Sequence, residues 1–154
     1  MKKPIITLIL CILSIGIFAQ NCGPGGITFS TQLQIDQFSV DYPGCTNITG
    51  SVTISGANIT NLNGLSQLSS IVGGLYIQAN PVLTSLNGLS SVSSVGGSVI
   101  ISNNSVLSSL TGLGSITSIG SLNINNNASL SSLSGLSSLS SIGGLYIINN
   151  SNLS

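Results

Sequence analysis

The sequence is almost free of charge: its 154 residues include two Lys or Arg and two Asp or Glu, and no His, Glu or Trp. Without His there is no imidazole base or His-based triad. Asp36 and Asp41 are too few to form a carboxylate pair with supporting groups. Without clustered Lys or Arg there is no basic surface for phosphates. We therefore expect no enzyme activity, no catalytic residue and no nucleic-acid partner.

Metal and cofactor sites are disfavoured for the same reason. Zinc sites need Cys, His or carboxylate ligands, and a calcium cage needs several carboxylates. The Gly-Gly pairs at 73–74, 96–97 and 143–144 are not followed by Lys, so none resembles a phosphate-binding loop. The sequence predicts no metal site and no cofactor.

The first twenty residues have the pattern of a targeting segment. Lys2 and Lys3 precede an apolar run of fourteen residues, from Ile5 to Phe18, which is too short to span a bilayer comfortably. A basic start followed by such a run is typical of a secretory signal peptide. We predict a signal peptide at 1–20 and a mature chain that has no membrane span and is secreted or on the outer cell surface. A retained membrane anchor is the alternative.

Loss of that segment would remove Cys11 and leave Cys22 and Cys45. An even pair in an exported, oxidising setting predicts a disulfide. The bridge would close a loop of about two dozen residues and stabilise the domain by roughly 3 kcal/mol. Two free thiols are the alternative.

Residues 21–50 have the features of an N-terminal cap. Thr31, with Gln34 three residues later, matches a capping box and predicts a short helix over 31–40, ended by Tyr42-Pro43-Gly44. The first coil of a repeat array needs a cover for its exposed face. We assign 21–50 this role.

The rest of the chain, residues 51–154, repeats. Isoleucines at steps of 23, 24, 23 and 23 residues track the period: Ile54, Ile77, Ile101, Ile124 and Ile147. A period in this range predicts stacked coils of a solenoid.

One coil combines a strand with tight walls. Leu75 and Ile77 alternate with Tyr76 and Gln78, as in a strand with one buried face. Apolar residues then recur at steps of three, which favours extended or 3₁₀-like walls: Leu83, Leu86, Leu89, Val92 and Val95. An asparagine recurs at one corner, where a short amide can bond the backbone and tolerate unusual φ: Asn80, Asn104, Asn127 and Asn150.

The outward positions of the strands are the candidate ligand face. They vary from coil to coil where the buried positions do not: Thr53, Tyr76, Ile100, Asn123 and Tyr146, flanked by Gln78, Ser102, Asn125 and Ile148. Tyrosines are common anchors in interfaces, and solenoids bind along a strand face. We predict an unidentified protein or glycan partner here. The alternative is that Tyr and Ile are simply good strand formers.

Two other functions compete with a binding or adhesion module. The first is a passive structural spacer or coat component, which would bind no ligand. The second is ice binding, which usually relies on an ordered threonine array on one flat strand face. The outward residues listed above do not form such an array.

The run Cys45-Thr46-Asn47-Ile48-Thr49-Gly50-Ser51-Val52-Thr53-Ile54 resembles the entry to a receptor L domain. The preceding helix, bracketed by Cys22 and Cys45, matches that family's N-terminal cap. The repeated Leu-x-Gly-Leu-Ser-x-Leu-x-Ser-Ile-Gly-Gly-x-Leu-x-Ile pattern is similar to the L-domain-like leucine-rich repeats of secreted bacterial surface proteins, and to fungal wall proteins. The resemblance covers residues 22–154.

This resemblance implies an all-β, right-handed β-solenoid of 23–24-residue coils with a short N-terminal capping helix. Many receptor L domains bind protein ligands. The charged and aromatic side chains of animal receptor L domains are missing here, so their ligand residues do not carry over. The sequence stops at Ser154 in mid-coil without a closing cap, and we expect a C-terminal continuation of the same polypeptide.

Overall fold

The computed structural model describes residues 20–154. The predicted signal peptide, apart from Gln20, and Cys11 lie outside the described residues. The described chain is built mainly of short strands. They are β1 (Gln20–Cys22), β2 (Ile27–Phe29), β3 (Cys45–Ile48), β4 (Val52–Ile54), β5 (Ser70–Ile71), β6 (Leu75–Gln78), β7 (Ser94–Val95), β8 (Val99–Ser102), β9 (Ser118–Ile119), β10 (Leu122–Asn125), β11 (Ser141–Ile142) and β12 (Leu145–Ile148).

Helices are few and short. The N-terminal part contains α1 (Gln32–Asp36) and α2 (Phe38–Asp41). Each later repeat contains one 3₁₀ helix: Asn63–Leu65, Asn87–Leu89, Thr111–Leu113 and Ser134–Leu136. No helix within residues 20–154 has the length and apolar character that crossing a membrane requires.

The strands form open, parallel sheets. The long sheet has six strands in the order β12-β10-β8-β6-β4-β2, and the short sheet has four in the order β1-β3-β5-β7. Strands β9 and β11 pair separately. Every strand pairing in the described chain is parallel. The predicted all-β class and the repeating strand arrangement are confirmed.

The sequence period sets the register of the long sheet. Ile54 pairs with Ile77, and Ile77 pairs with Ile101. The same register continues to Ile124 and Ile147. Within these strands Leu75 and its counterparts also lie over one another. Because side chains alternate between the two faces of a strand, this register places like apolar residues in ladders on the buried face.

The Leu-x-Gly-Leu segments form the 3₁₀ helices, in line with the steps of three in the sequence. Here glycine is required by close packing between repeats. A Cβ on Gly88 would overlap the carbonyl oxygen of Leu62, and a Cβ on Gly112 would overlap that of Leu86. The 3₁₀ helices of successive repeats therefore stack with their backbones in direct contact.

The corner asparagines bond to the backbone, as the sequence predicts, and Asn80, Asn104 and Asn127 are buried. Asn104 Nδ2 donates to the carbonyl oxygen of Ile77, and its Oδ1 accepts from Asn80. The unusual φ is not at these residues, however. Positive φ values occur one residue earlier, at Ala79 (54°), Asn103 (57°), Asn126 (55°) and Asn149 (55°). The ladder asparagines thus bond the corner, and the preceding residue makes the turn.

The N-terminal part agrees with the predicted cap and adds strands to it. Thr31 caps α1, and the reciprocal capping box with Gln34 is present. The predicted helix over 31–40 is divided at Gln37 into α1 and α2. The predicted disulfide is confirmed, with Cys22 and Cys45 Cα atoms 5.9 Å apart.

The three strands of this part, β1, β2 and β3, were not predicted. Strand β2 extends the long sheet beside β4, and β3 lies in the short sheet between β1 and β5. The cap therefore continues both sheets as well as covering their first repeat.

The apolar ladder positions of the final repeat are more exposed than those of the earlier repeats. Ile142 and Ile147 occupy ladder positions but are each 37% exposed, and Leu145 is 55% exposed. Strand β12 has a neighbour on one side only within residues 20–154, so nothing in the described chain covers these side chains.

Candidate functional site

The predicted ligand-face residues lie in one row across the long sheet. Thr53 is the register partner of Tyr76, and Tyr76 that of Ile100. Ile100 pairs with Asn123, and Asn123 with Tyr146. We call these five residues the outward row. At about 4.8 Å per strand, the four steps from Thr53 to Tyr146 span about 19 Å.

The outward row is accessible but not uniformly so. Its first four members are half-buried, and Tyr146 is 59% exposed. Because side chains alternate between the two faces of a strand, the outward row lies on the face opposite the apolar ladder. In β6, for example, Leu75 and Ile77 are buried and Tyr76 is not. The sheet thus holds these side chains on a rigid, regularly spaced surface.

The tyrosine rings lie over glycines of the same face. A Cβ built on Gly74 would collide with the hydroxyl and Cζ of Tyr76, so the ring folds back along the sheet above Gly74. At the other end of the row, a Cβ on Gly144 would be 3.5 Å from Cε2 of Tyr146. Each tyrosine ends a Gly-Leu-Tyr segment. The absence of a side chain at Gly74 makes room for Tyr76, whereas a Cβ at Gly144 would be only in ordinary contact with Tyr146.

A chain of asparagine amides borders the row. Asn149 Nδ2 donates to Asn126 Oδ1 at 3.1 Å, and Asn126 Nδ2 donates to Asn125 Oδ1 at 3.3 Å. Asn125 Nδ2 in turn donates to Asn123 Oδ1 at 2.8 Å. The chain ends at Asn123, whose Nδ2 donates no hydrogen bond within residues 20–154. The polar group in the middle of the face is therefore held in one orientation by its neighbours.

The flanking positions are not all available to a ligand. Gln78, Ser102, Asn125 and Ile148 are in register beside the outward row. Ser102 is only 5% exposed and so is a poor contact. Ile148, at 55% exposed, is open. The part of the face around Asn125, Tyr146 and Ile148 is thus the most accessible.

The face carries no formal charge. The only acidic residues in the sequence, Asp36 and Asp41, lie in the N-terminal helices. No group of three or more His, Cys, Asp or Glu side chains that could hold a metal occurs in the described part of the chain. Recognition at this surface would therefore rely on aromatic, amide, hydroxyl and apolar groups.

The sequence predicted the outward row but not the chain of asparagine amides beside it. The period of the repeat was sufficient to align the outward residues. The amide chain depends on Asn126 and Asn149, whose positive φ brings their side chains beside the strand face. The recurring Asn-Asn dipeptides after the strands were the only sign of it in the sequence.

Comparisons with known proteins leave the family open. No protein-family model matches the sequence, and no curated protein and no solved structure matches it either. The geometry of the chain itself is therefore the basis for assigning a function.

Proposed function

We propose that this chain is a secreted or cell-surface binding module that presents its outward row to a protein or glycan. The observation that carries this proposal is the register of the row. Tyr76, Ile100 and Tyr146 lie on one rigid face, with Asn123 between the last two. Tyrosines present a broad apolar ring together with a polar tip, which suits them to interfaces.

The proposal includes the winding of the repeats. We infer a right-handed β-solenoid of the receptor L-domain, leucine-rich-repeat type, with coils of 23–24 residues. Parallel sheets and a residue offset of 23 between β4 and β6, as in Val52 and Leu75, support this inference. The Cys22–Cys45 bridge and a signal peptide at 1–20 fit an extracellular location, where disulfides persist.

Binding fits the face better than catalysis does. The row has no imidazole, carboxylate, thiol or ammonium group within it, so it offers no acid, base or nucleophile of ordinary catalytic pKa. The residue type also changes along the row from Thr53 to Tyr146, whereas an ice-binding surface is expected to repeat one residue type. We infer no enzyme activity.

The test is a binding screen of the mature chain, residues 21–154, against extracellular proteins and glycans. We expect a ligand whose binding is lost in the Tyr76→Ala/Tyr146→Ala double variant. The control is Val82→Ala/Val106→Ala, which truncates two side chains that are each 42% exposed and lie off the row. Undiminished binding by the tyrosine variant would contradict the proposal, and absence of any ligand would favour the passive spacer.

A further inference from the structure

We propose that the ligand of the outward row is a neutral, linear polysaccharide that lies across the strands; this inference rests on the proposed function and names its partner class. Three features of the face support this choice over a protein partner. They are the absence of charge, the two tyrosine rings in one row, and the amide held between them.

The absence of charge argues against ionic ligands of either sign. Acidic polysaccharides, phosphorylated surfaces and nucleic acids are normally bound through Lys or Arg, and neither residue type occurs in residues 20–154. A basic ligand would need carboxylates, and Asp36 and Asp41 lie on the N-terminal helices instead. Protein interfaces are also enriched in Arg, which this face lacks. A neutral ligand rich in hydroxyl groups matches the face best.

The accessible tyrosine rings can serve as stacking platforms. The hydroxyl end of Tyr76 folds back over Gly74, so its ring lies close to the sheet while the side chain is only half-buried. Tyr146 is more open: its Cε2 would be 3.5 Å from a Cβ on Gly144, and the side chain is 59% exposed. The C–H groups on one face of a pyranose ring are apolar and pack on such a surface, while its hydroxyl groups remain free at the edge.

The geometry between the rings fits an extended chain of sugars. Tyr76 and Tyr146 are three strand steps apart, about 14 Å at the usual strand spacing. Ile100 supplies an apolar surface between them. Asn123 Nδ2 is a free donor beside Tyr146, and Asn123 Oδ1 is fixed by Asn125. An amide held in this way can bond a sugar hydroxyl without first losing rotational freedom.

The test is isothermal titration calorimetry of the mature chain with hexasaccharides. The neutral probes are cello-, chito-, manno- and xylohexaose, and the acidic probe of the same length is hexagalacturonate. We expect at least one neutral probe to bind and hexagalacturonate to bind at least about tenfold more weakly, a difference of about 1.4 kcal/mol.

Substitutions of the two tyrosines distinguish stacking of a sugar on the ring from hydrogen bonding to the hydroxyl. Tyr76→Ala and Tyr146→Ala should each weaken binding about tenfold or more, whereas the corresponding Phe variants, which keep the ring, should stay within about threefold of the wild type. Val82→Ala is the control off the row. Because these side chains are exposed or half-buried, thermal melting should find the variants folded.

Failure of this inference can be told from failure of the proposed function. If no neutral probe binds, if hexagalacturonate binds equally well, or if Tyr76→Ala/Tyr146→Ala binds a neutral probe undiminished, the polysaccharide inference is wrong. A protein ligand weakened by the same double variant would then sustain the proposed function. Absence of both kinds of ligand would overturn both.

Discussion

Asn104 joins two repeats through a single atom: its Oδ1 accepts hydrogen bonds from both the backbone N–H and the Nδ2 of Asn80, at 3.2 and 3.0 Å. Its own Nδ2 donates to the carbonyl oxygen of Ile77 at 3.0 Å. Asn127 repeats the first relationship with Asn104, and Asn150 with Asn127. Asn80, Asn104 and Asn127 have no exposed surface. The ladder is therefore a continuous buried hydrogen-bond network along the stack.

Removing one member of the ladder should destabilise the whole repeat. Asn104→Ala leaves the buried backbone N–H of Asn80 without its acceptor and removes the amide that donates to the carbonyl oxygen of Ile77. Asn80 Nδ2 keeps its bonds to the carbonyl oxygens of Ile54 and Gln78. Since each unsatisfied buried group costs about 1–3 kcal/mol, we expect the free energy of unfolding to fall by about 2–4 kcal/mol. Chemical denaturation measures this. Asn87→Ala, which truncates an exposed amide, is the control; a similar loss in both variants would contradict a special role for the ladder.

An acidic replacement at the same position should make stability depend on pH. In Asn104→Asp the protonated carboxyl can donate to Ile77, but the carboxylate cannot. Burial raises the folded-state pKa of this carboxyl above its unfolded value of about 3.9. Stability is thus highest below pH 4 and falls as the pH rises through the interval between the two pKa values. Melting curves from pH 3 to 8 test this, with exposed Asn87→Asp as control; no difference between the two profiles would refute it.

The backbone of Ala79 adopts a left-handed conformation that asparagine tolerates better than alanine does. Its φ of 54° is matched by Asn103, Asn126 and Asn149 at the equivalent corners. Alanine has no side-chain oxygen to support the left-handed conformation, whose cost is roughly 1–2 kcal/mol for most residues. We expect Ala79→Asn to raise the free energy of unfolding by about 1 kcal/mol. Asn103→Ala should lower it by a similar amount, and a change in the same direction in both variants would be inconsistent with this reasoning.

The neighbouring glycines of the third 3₁₀ helix should differ in their tolerance of alanine. A Cβ on Gly112 would overlap the carbonyl oxygen of Leu86, so Gly112→Ala should cost about 1–3 kcal/mol or more, as overpacking does. At Gly114 the nearest atom would be 3.4 Å away and φ is −65°. Gly114→Ala should therefore be neutral or stabilising by up to about 1 kcal/mol. Equal losses on denaturation would show that close packing is not the reason for glycine here.

Much of the fold is readable from the sequence because each repeat must fit its neighbour. The isoleucine period predicted the register from Ile54 to Ile147 correctly, and the steps of three predicted tight walls. Strand β2 was missed because its three residues, Ile27–Phe29, carry no trace of the repeat. They are recognisable as a strand only through their pairing with β4.

The candidate site was predictable to a smaller extent. Alternation within the strands was sufficient to place Tyr76 and Tyr146 on one face. The burial of Ser102 and the amide chain ending at Asn123 were not predictable, because they depend on side-chain conformations and on a corner with positive φ. The left-handed corner was assigned one residue too late, since Asn80 and its counterparts were the regular feature in the sequence.

The most direct test of the binding surface is to map a bound ligand residue by residue. We would record ¹⁵N–¹H NMR spectra of the mature chain while titrating the four neutral hexasaccharides together. We predict that the amide shifts change most at Tyr76, Ile100, Asn123 and Tyr146, with little change at the short sheet, around Ser70 and Ser94. Shift changes centred on the short sheet or the N-terminal helices, with the outward row unaffected, would contradict the assignment of the row as the binding surface.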